Sequence, residues 1–90
     1  MKNIWNEQKI YSPSLITLDM CNLEQQIREL EAAGIGMLHV DILDGYFSPS
    51  MPLGFETIKQ LRTKTDLFFD CHIMANDYDF FVNELIAIGV

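Results

Sequence analysis

Hydrophobic positions along the chain alternate between a strand period and a helix period. Residues 37–43 and 67–74 place apolar side chains on one face and polar ones on the other, which is typical of strands with one buried face. Residues 9–16 also predict a short strand, although Pro13 suits the edge or end of a sheet better than its centre. Between and after these segments, apolar residues three and four positions apart predict three helices.

Each predicted helix has an apolar stripe and recognisable ends. The stripes are, in order, Leu23, Ile27 and Leu30; Phe55, Ile58 and Leu61; and Phe81, Leu85 and Ile88. Asn22 followed by Gln25 is a capping-box pattern that predicts the start of the first helix. Asn76 or Asp77 is expected to cap the third helix, and a glycine follows the first and the third.

The resulting order, β-α-β-α-β-α, predicts an α/β protein with parallel strands joined by right-handed crossovers. Such a sheet is either open or part of a barrel. The second and third strands carry polar residues on one face, namely His39, Asp41, Asp70 and His72. A doubly wound open sheet is apolar on both faces, whereas a barrel accepts polar side chains at the top of its interior, so this pattern favours a barrel.

Composition and charge exclude several classes of function. The chain has 90 residues, of which 49% are hydrophobic and 21% charged, as in globular proteins. Thirteen acidic residues against six basic ones give a net charge of −7, so nucleic acid and anionic membrane surfaces are not expected partners. No apolar run reaches the length of a bilayer span. Two cysteines do not form a disulfide framework, which favours a cytoplasmic location.

The candidate chemistry lies at the ends of the second and third strands. His39 and Asp41 share a face by their spacing of two, as do Asp70, His72 and Met74. Neighbouring parallel strands would bring His39, Asp41 and His72 together. Two imidazoles and a carboxylate suit Zn, Fe, Co or Mn better than Mg or Ca. The structural alternative is that the histidines are hydrogen-bonded interior residues and the aspartates belong to turns.

Taken together, these motifs closely resemble the ribulose-phosphate 3-epimerase family from about residue 10 to residue 89. The matching runs are Ser12-Pro13-Ser14-Leu15 with Asp19 and Asn22-Leu23, then His39-Val40-Asp41-Ile42-Leu43-Asp44-Gly45 with Phe47, Pro49 and Gly54, and finally Asp70-Cys71-His72-Ile73-Met74. The first and third runs also resemble the allulose-6-phosphate 3-epimerases, and these residues do not separate the two branches.

The resemblance implies a (β/α)8 barrel that inverts C3 of a ketose phosphate with the help of one divalent metal ion. By position, His39, Asp41 and His72 would bind the metal, and Asp41 would be one of two acid/base carboxylates. Ser14 and His72 would contact the substrate, and Met74 would line the apolar cover of the site. The substrate would be ribulose 5-phosphate or, in the other branch, allulose 6-phosphate.

The length of the chain bears on this expectation, because a barrel of this type needs roughly 250 residues. Residues 1–90 are therefore expected to form the N-terminal, incomplete part of one barrel domain, with three βα units. The second carboxylate and the phosphate site would be missing, so we expect the chain alone to be inactive and to bind metal weakly at best. The alternative is a non-catalytic βα module that self-associates through its open strand edges into a homo-oligomer.

Overall fold

The three predicted helices and two of the three predicted strands form in the computed structural model, which describes residues 4–90. The first three residues of the predicted 1–90 unit lie outside the described residues. The elements are two 3-10 helices, Leu15–Thr17 and Met20–Asn22, followed by α1 (Leu23–Ala32), β1 (Met37–Leu43), α2 (Phe55–Lys64), β2 (Phe68–Met74) and α3 (Tyr78–Ile88).

The predicted first strand, residues 9–16, is wrong in its extent. Only Ser14 pairs with a neighbour, in a single parallel bridge to His39, and the His39 N–H donates to the Pro13 carbonyl at 2.9 Å. Pro13 has no N–H to donate to a neighbouring strand, and a 3-10 helix begins at Leu15. The segment therefore still runs beside β1, but one bridge replaces the expected strand.

The predicted capping box of α1 is also wrong. Asn22 is the N-cap, yet its side chain makes no capping hydrogen bond. The side chain of Gln26 stabilises this end of the helix instead. Its Nε2 donates to the carbonyls of Asp19 at 2.8 Å and Asn22 at 2.9 Å, and its Oε1 accepts from the Asp19 N–H at 3.1 Å. A 3-10 turn leads directly into α1, so the backbone does not arrive in the extended conformation that a capping box uses.

The ends of α3 agree with the prediction. Of the two candidate caps, Asp77 takes the role, and its side chain accepts from the Phe80 N–H at 3.4 Å. Gly89 follows the helix with φ of +96°, a left-handed conformation that residues with a Cβ rarely adopt. The apolar stripe lies against the core, with Leu85 buried and Phe81 and Ile88 packed at its margin.

β1 and β2 form a parallel pair in direct register, from Met37 opposite Phe68 to Leu43 opposite Met74. One face of the pair packs against the helices. The buried cluster on that side comprises Leu15, Leu23, Ile27, Leu38, Val40, Ile42, Leu53, Ile58, Leu61, Leu67, Phe69 and Leu85. The other face carries the polar residues of both strands. The α/β class and the parallel pairing are thus as predicted, and the polar face is where the candidate chemistry lies.

Candidate metal centre

Three side chains on the polar face of the sheet converge on one point. His39 Nε2 lies 3.0 Å from Asp41 Oδ1, and His72 Nδ1 lies 3.5 Å from the same oxygen. One ligand atom from each of the three residues lies within 4.8 Å of the others. Bonds of about 2 Å join Zn to such atoms, so small side-chain rotations would let all three reach one ion.

The strands explain why these residues meet. His39 and Asp41 are two positions apart on β1 and therefore share a face. The register places Asp41 opposite His72 on β2, so the imidazole of His72 stands beside the Asp41 carboxylate. The spacing of two predicts the shared faces, and the structure adds the register that brings the two strands' residues together.

Asp70 is the residue of this site that sequence reasoning left without a role. It lies opposite His39 in the register, and its Oδ2 is 3.1 Å from His39 Nδ1. Each nitrogen of the His39 ring thus faces a carboxylate oxygen. The hydrogen bond to Asp70 raises the pKa of His39 most, the charges of Asp41 and Asp70 raise it further, and burial opposes them. The two carboxylates therefore favour the positively charged imidazolium.

The donor set fits a borderline divalent cation. Two imidazole nitrogens and one carboxylate oxygen, with the carboxyl residue 9% exposed, match the ligands of catalytic Zn, Fe, Co or Mn sites. Hard ions such as Mg and Ca prefer oxygen ligands throughout. Three protein ligands would also leave a coordination position open, as catalytic sites require.

The remaining predicted site residues lie close to this cluster along the strands. Ser14 is the bridge partner of His39, on the side of β1 away from β2. Met74 ends β2 two residues after His72 and is half-buried. Their contacts with a substrate stay predictions, since they depend on a bound molecule.

Asp44 joins the loops that follow the two strands. Its Oδ1 accepts from the N–H groups of Tyr46 at 2.9 Å and Phe47 at 2.7 Å, and its Oδ2 accepts from the Asn76 N–H at 3.1 Å. These backbone hydrogen bonds, the one from Phe47 foremost, hold the pKa of Asp44 below its ordinary value. The carboxylate therefore holds together two loops at the edge of the sheet where the candidate site lies. Asn76 lies 32 residues further along the chain, so no local pattern of residues predicts its hydrogen bond to Asp44.

We expect Asp44→Asn to release the second loop while keeping the first. Asparagine retains one oxygen for the Tyr46 and Phe47 N–H groups, but its amide NH₂ would then face the Asn76 N–H, donor against donor. The Asn76 amide should exchange with solvent about two- to tenfold faster, the effect of losing one hydrogen bond. Hydrogen exchange followed by NMR measures it. In Asp44→Ala, the amides of Phe47 and Asn76 should both accelerate, and an unchanged Asn76 rate in both variants would contradict this role.

The cysteines do not belong to the site. Cys71 packs against the helical side of the sheet, as its alternation with His72 predicts, and both cysteines carry free thiols. Burial raises the pKa of the Cys71 thiol to about 11, so it stays protonated at neutral pH. Cys71 is thus a half-buried packing residue rather than a nucleophile.

Comparisons with known proteins identify a family for this chain. The sequence profile of the ribulose-phosphate 3-epimerase family matches residues 10–90. A ribulose-phosphate 3-epimerase of Schizosaccharomyces pombe is 35% identical over 81 residues, covering 87% of this chain and 36% of the relative. One from Methanocaldococcus jannaschii is 35% identical over 71 residues, covering 79% and 30%. The cytoplasmic isoform of Oryza sativa is 33% identical over 78 residues, covering 87% and 34%.

The match extends over most of this chain but over a minor part of its relatives. The chain spans 36%, 30% and 34% of the length of the three relatives named. Within residues 4–90, no helix has the length and apolar character needed to cross a membrane. The family match from residue 10 to residue 90 includes His39, Asp41 and His72. The chain belongs to the ribulose-phosphate 3-epimerase family.

Proposed function

We propose that this chain contributes the first part of a metal-dependent ribulose-phosphate 3-epimerase, which interconverts ribulose 5-phosphate and xylulose 5-phosphate by inverting C3 through an enediolate. The observation that carries the proposal is the cluster of His39, Asp41 and His72 on adjacent parallel strands, in a chain that belongs to this family. The named relatives are ribulose-phosphate epimerases, which favours this substrate over allulose 6-phosphate.

The architecture that we propose for the complete protein is a (β/α)8 barrel, of which residues 10–90 supply the opening units. Three features support it: β1 and β2 are parallel, their apolar face lies against the helices, and their polar face holds the candidate site. Within residues 4–90, β2 pairs along one edge only, so a further strand can add to it. In barrels of this kind the active site lies at the C-terminal ends of the strands.

The chemistry divides between the ion and the side chains. A bound divalent ion would act as a Lewis acid that stabilises the negative charge developing on substrate oxygens when a proton leaves C3. His39, Asp41 and His72 would hold that ion. The Asp41 carboxylate is also free to take the proton from one face of C3, because a carboxylate oxygen that does not bind the ion can act as a general base. A second carboxylate, implied by the resemblance on a later strand, would return the proton from the opposite face.

Other residues of the chain would shape the substrate site. We propose that Ser14, beside His39, and His72 contact the sugar phosphate, and that Met74 contributes to the apolar cover that excludes water. Without the second carboxylate and a phosphate site, the chain by itself is expected to bind metal weakly and to show no epimerase activity.

Cobalt titration tests the metal site in the chain itself. We expect one Co²⁺ per chain with a visible d–d absorption band, and we expect His72→Ala to weaken binding by more than about tenfold, since even outer-shell partners of a metal ligand are worth about 10- to 100-fold. Asn83→Ala, at an exposed position on α3, is the control and should bind as the unsubstituted chain does. Equal cobalt affinity in all three proteins would refute the site.

A further inference from the structure

We propose that Asp70 is a positioning residue that holds the His39 imidazole so that its Nε2 presents a lone pair to the metal. This inference rests on the proposed function, because it assigns a role within that metal site. Asp70 Oδ2 lies 3.1 Å from His39 Nδ1, on the opposite side of the ring from the 3.0 Å contact between Nε2 and Asp41 Oδ1.

The strand register builds this arrangement. His39 stands opposite Asp70, and Asp41 stands opposite His72, so each of two successive residue pairs contains one imidazole and one carboxylate. The three atoms that lie within 4.8 Å of one another belong to His39, Asp41 and His72. Asp70 contacts Nδ1 of the His39 ring, whereas the other carboxylate, that of Asp41, contacts Nε2.

A carboxylate at this place has a defined physical effect. When it accepts the Nδ1–H of His39, it fixes that tautomer and the orientation of the ring, and it makes Nε2 a stronger donor to a cation. Without Asp70, the free imidazole can turn or place its proton on Nε2, where the proton competes with the metal. Asp70 has a side chain that is 50% exposed, so replacing it leaves the buried core intact.

The test compares zinc binding and nitrogen coordination in the 90-residue chain. Asp70→Ala should lower zinc affinity about 10- to 100-fold, the usual effect of removing an outer-shell partner. Asp70→Asn, which keeps an oxygen but loses the charge, should fall between Asp70→Ala and the unsubstituted chain. Asp79→Ala, at an exposed position on α3, removes the same charge away from the site and should bind zinc as the unsubstituted chain does. In the zinc-loaded chain, ¹⁵N shifts should show His39 bound through Nε2 with a proton on Nδ1, and Asp70→Ala should lose that single pattern.

The outcomes separate this inference from the function on which it rests. If zinc binds through His39 Nε2 equally well in Asp70→Ala and Asp79→Ala, the positioning role is refuted and the metal site stands. If the unsubstituted chain binds zinc without His39, or does not bind zinc, the proposed metal site fails and the role of Asp70 fails with it. A selective loss in Asp70→Ala, with the change in the His39 nitrogen shifts, supports the inference.

Discussion

Asp41→Asn should lower the rate of epimerisation by about a thousandfold or more, because general acid/base catalysis alone contributes about 10²–10⁴. The protein for this measurement is a chimera in which residues 10–90 of this chain replace the matching segment of the Schizosaccharomyces pombe relative, which supplies the remaining part of the domain. Asparagine keeps the shape of the side chain but can neither accept the proton that leaves one face of C3 nor offer a negative charge to the ion.

The structure gives specific reasons for the size of this effect. Asp41 is 9% exposed, and its Oδ1 lies near both His39 Nε2 and His72 Nδ1. In the proposed mechanism this one side chain would serve both the ion and the proton transfer. Conversion of ribulose 5-phosphate, with metal content measured in parallel, separates loss of the ion from loss of the base. Asp79→Asn makes the same chemical change on α3, away from the site, and should leave turnover unaltered. Near-normal turnover in Asp41→Asn would refute the assignment.

Leu38→Ala should lower the free energy of unfolding of the chain by about 2–5 kcal/mol, the cost of replacing a fully buried leucine. Leu38 is 0% exposed and lies on β1 within the buried cluster formed with the helices. The loss comes from the removed methyl and methylene groups and from the cavity that they leave. It is a large fraction of the roughly 5–15 kcal/mol that stabilises a typical domain.

Urea denaturation followed by circular dichroism measures this loss. Leu43→Ala is the matched control, because Leu43 ends the same strand and is only half-buried, so its truncation should cost clearly less. Equal unfolding midpoints for the two variants would show that the helix-facing side of β1 is not the core that the structure describes.

The sequence predicts most of the fold because apolar residues recur along it at the period of a strand or of a helix. Leu38, Val40 and Ile42 alternate with polar residues, and the structure buries all three against the helices. The extent of the first strand could not be predicted in the same way, because strand pairing depends on backbone hydrogen bonds that Pro13 cannot complete. The prediction of a capping box for α1 failed for a related reason, since the pattern of residue types does not reveal the 3-10 helix Met20–Asn22 that leads into α1.

The proximity of His39, Asp41 and His72 was predictable from the sequence, but the hydrogen bonds around them were not. Spacing identifies His39, Asp41 and His72 as neighbours once the strands are taken as parallel. The contact of Asp70 with His39 depends on the register between strands 31 residues apart in sequence, and a shift of one residue would remove it. The hydrogen bond from the Asn76 N–H to Asp44 likewise depends on how two loops meet. Such long-range contacts arise from packing, which single-strand patterns do not encode.

The unsubstituted chimera shows whether these residues form the metal-binding part of a ribulose-phosphate 3-epimerase. Its interconversion of ribulose 5-phosphate and xylulose 5-phosphate should be measured with metal bound, after chelation and after metal is restored. We predict turnover that disappears on chelation and returns with Zn, Fe, Co or Mn. A chimera that folds and binds one metal ion through His39, Asp41 and His72, yet converts no ribulose 5-phosphate, would show that these residues do not serve the proposed epimerase.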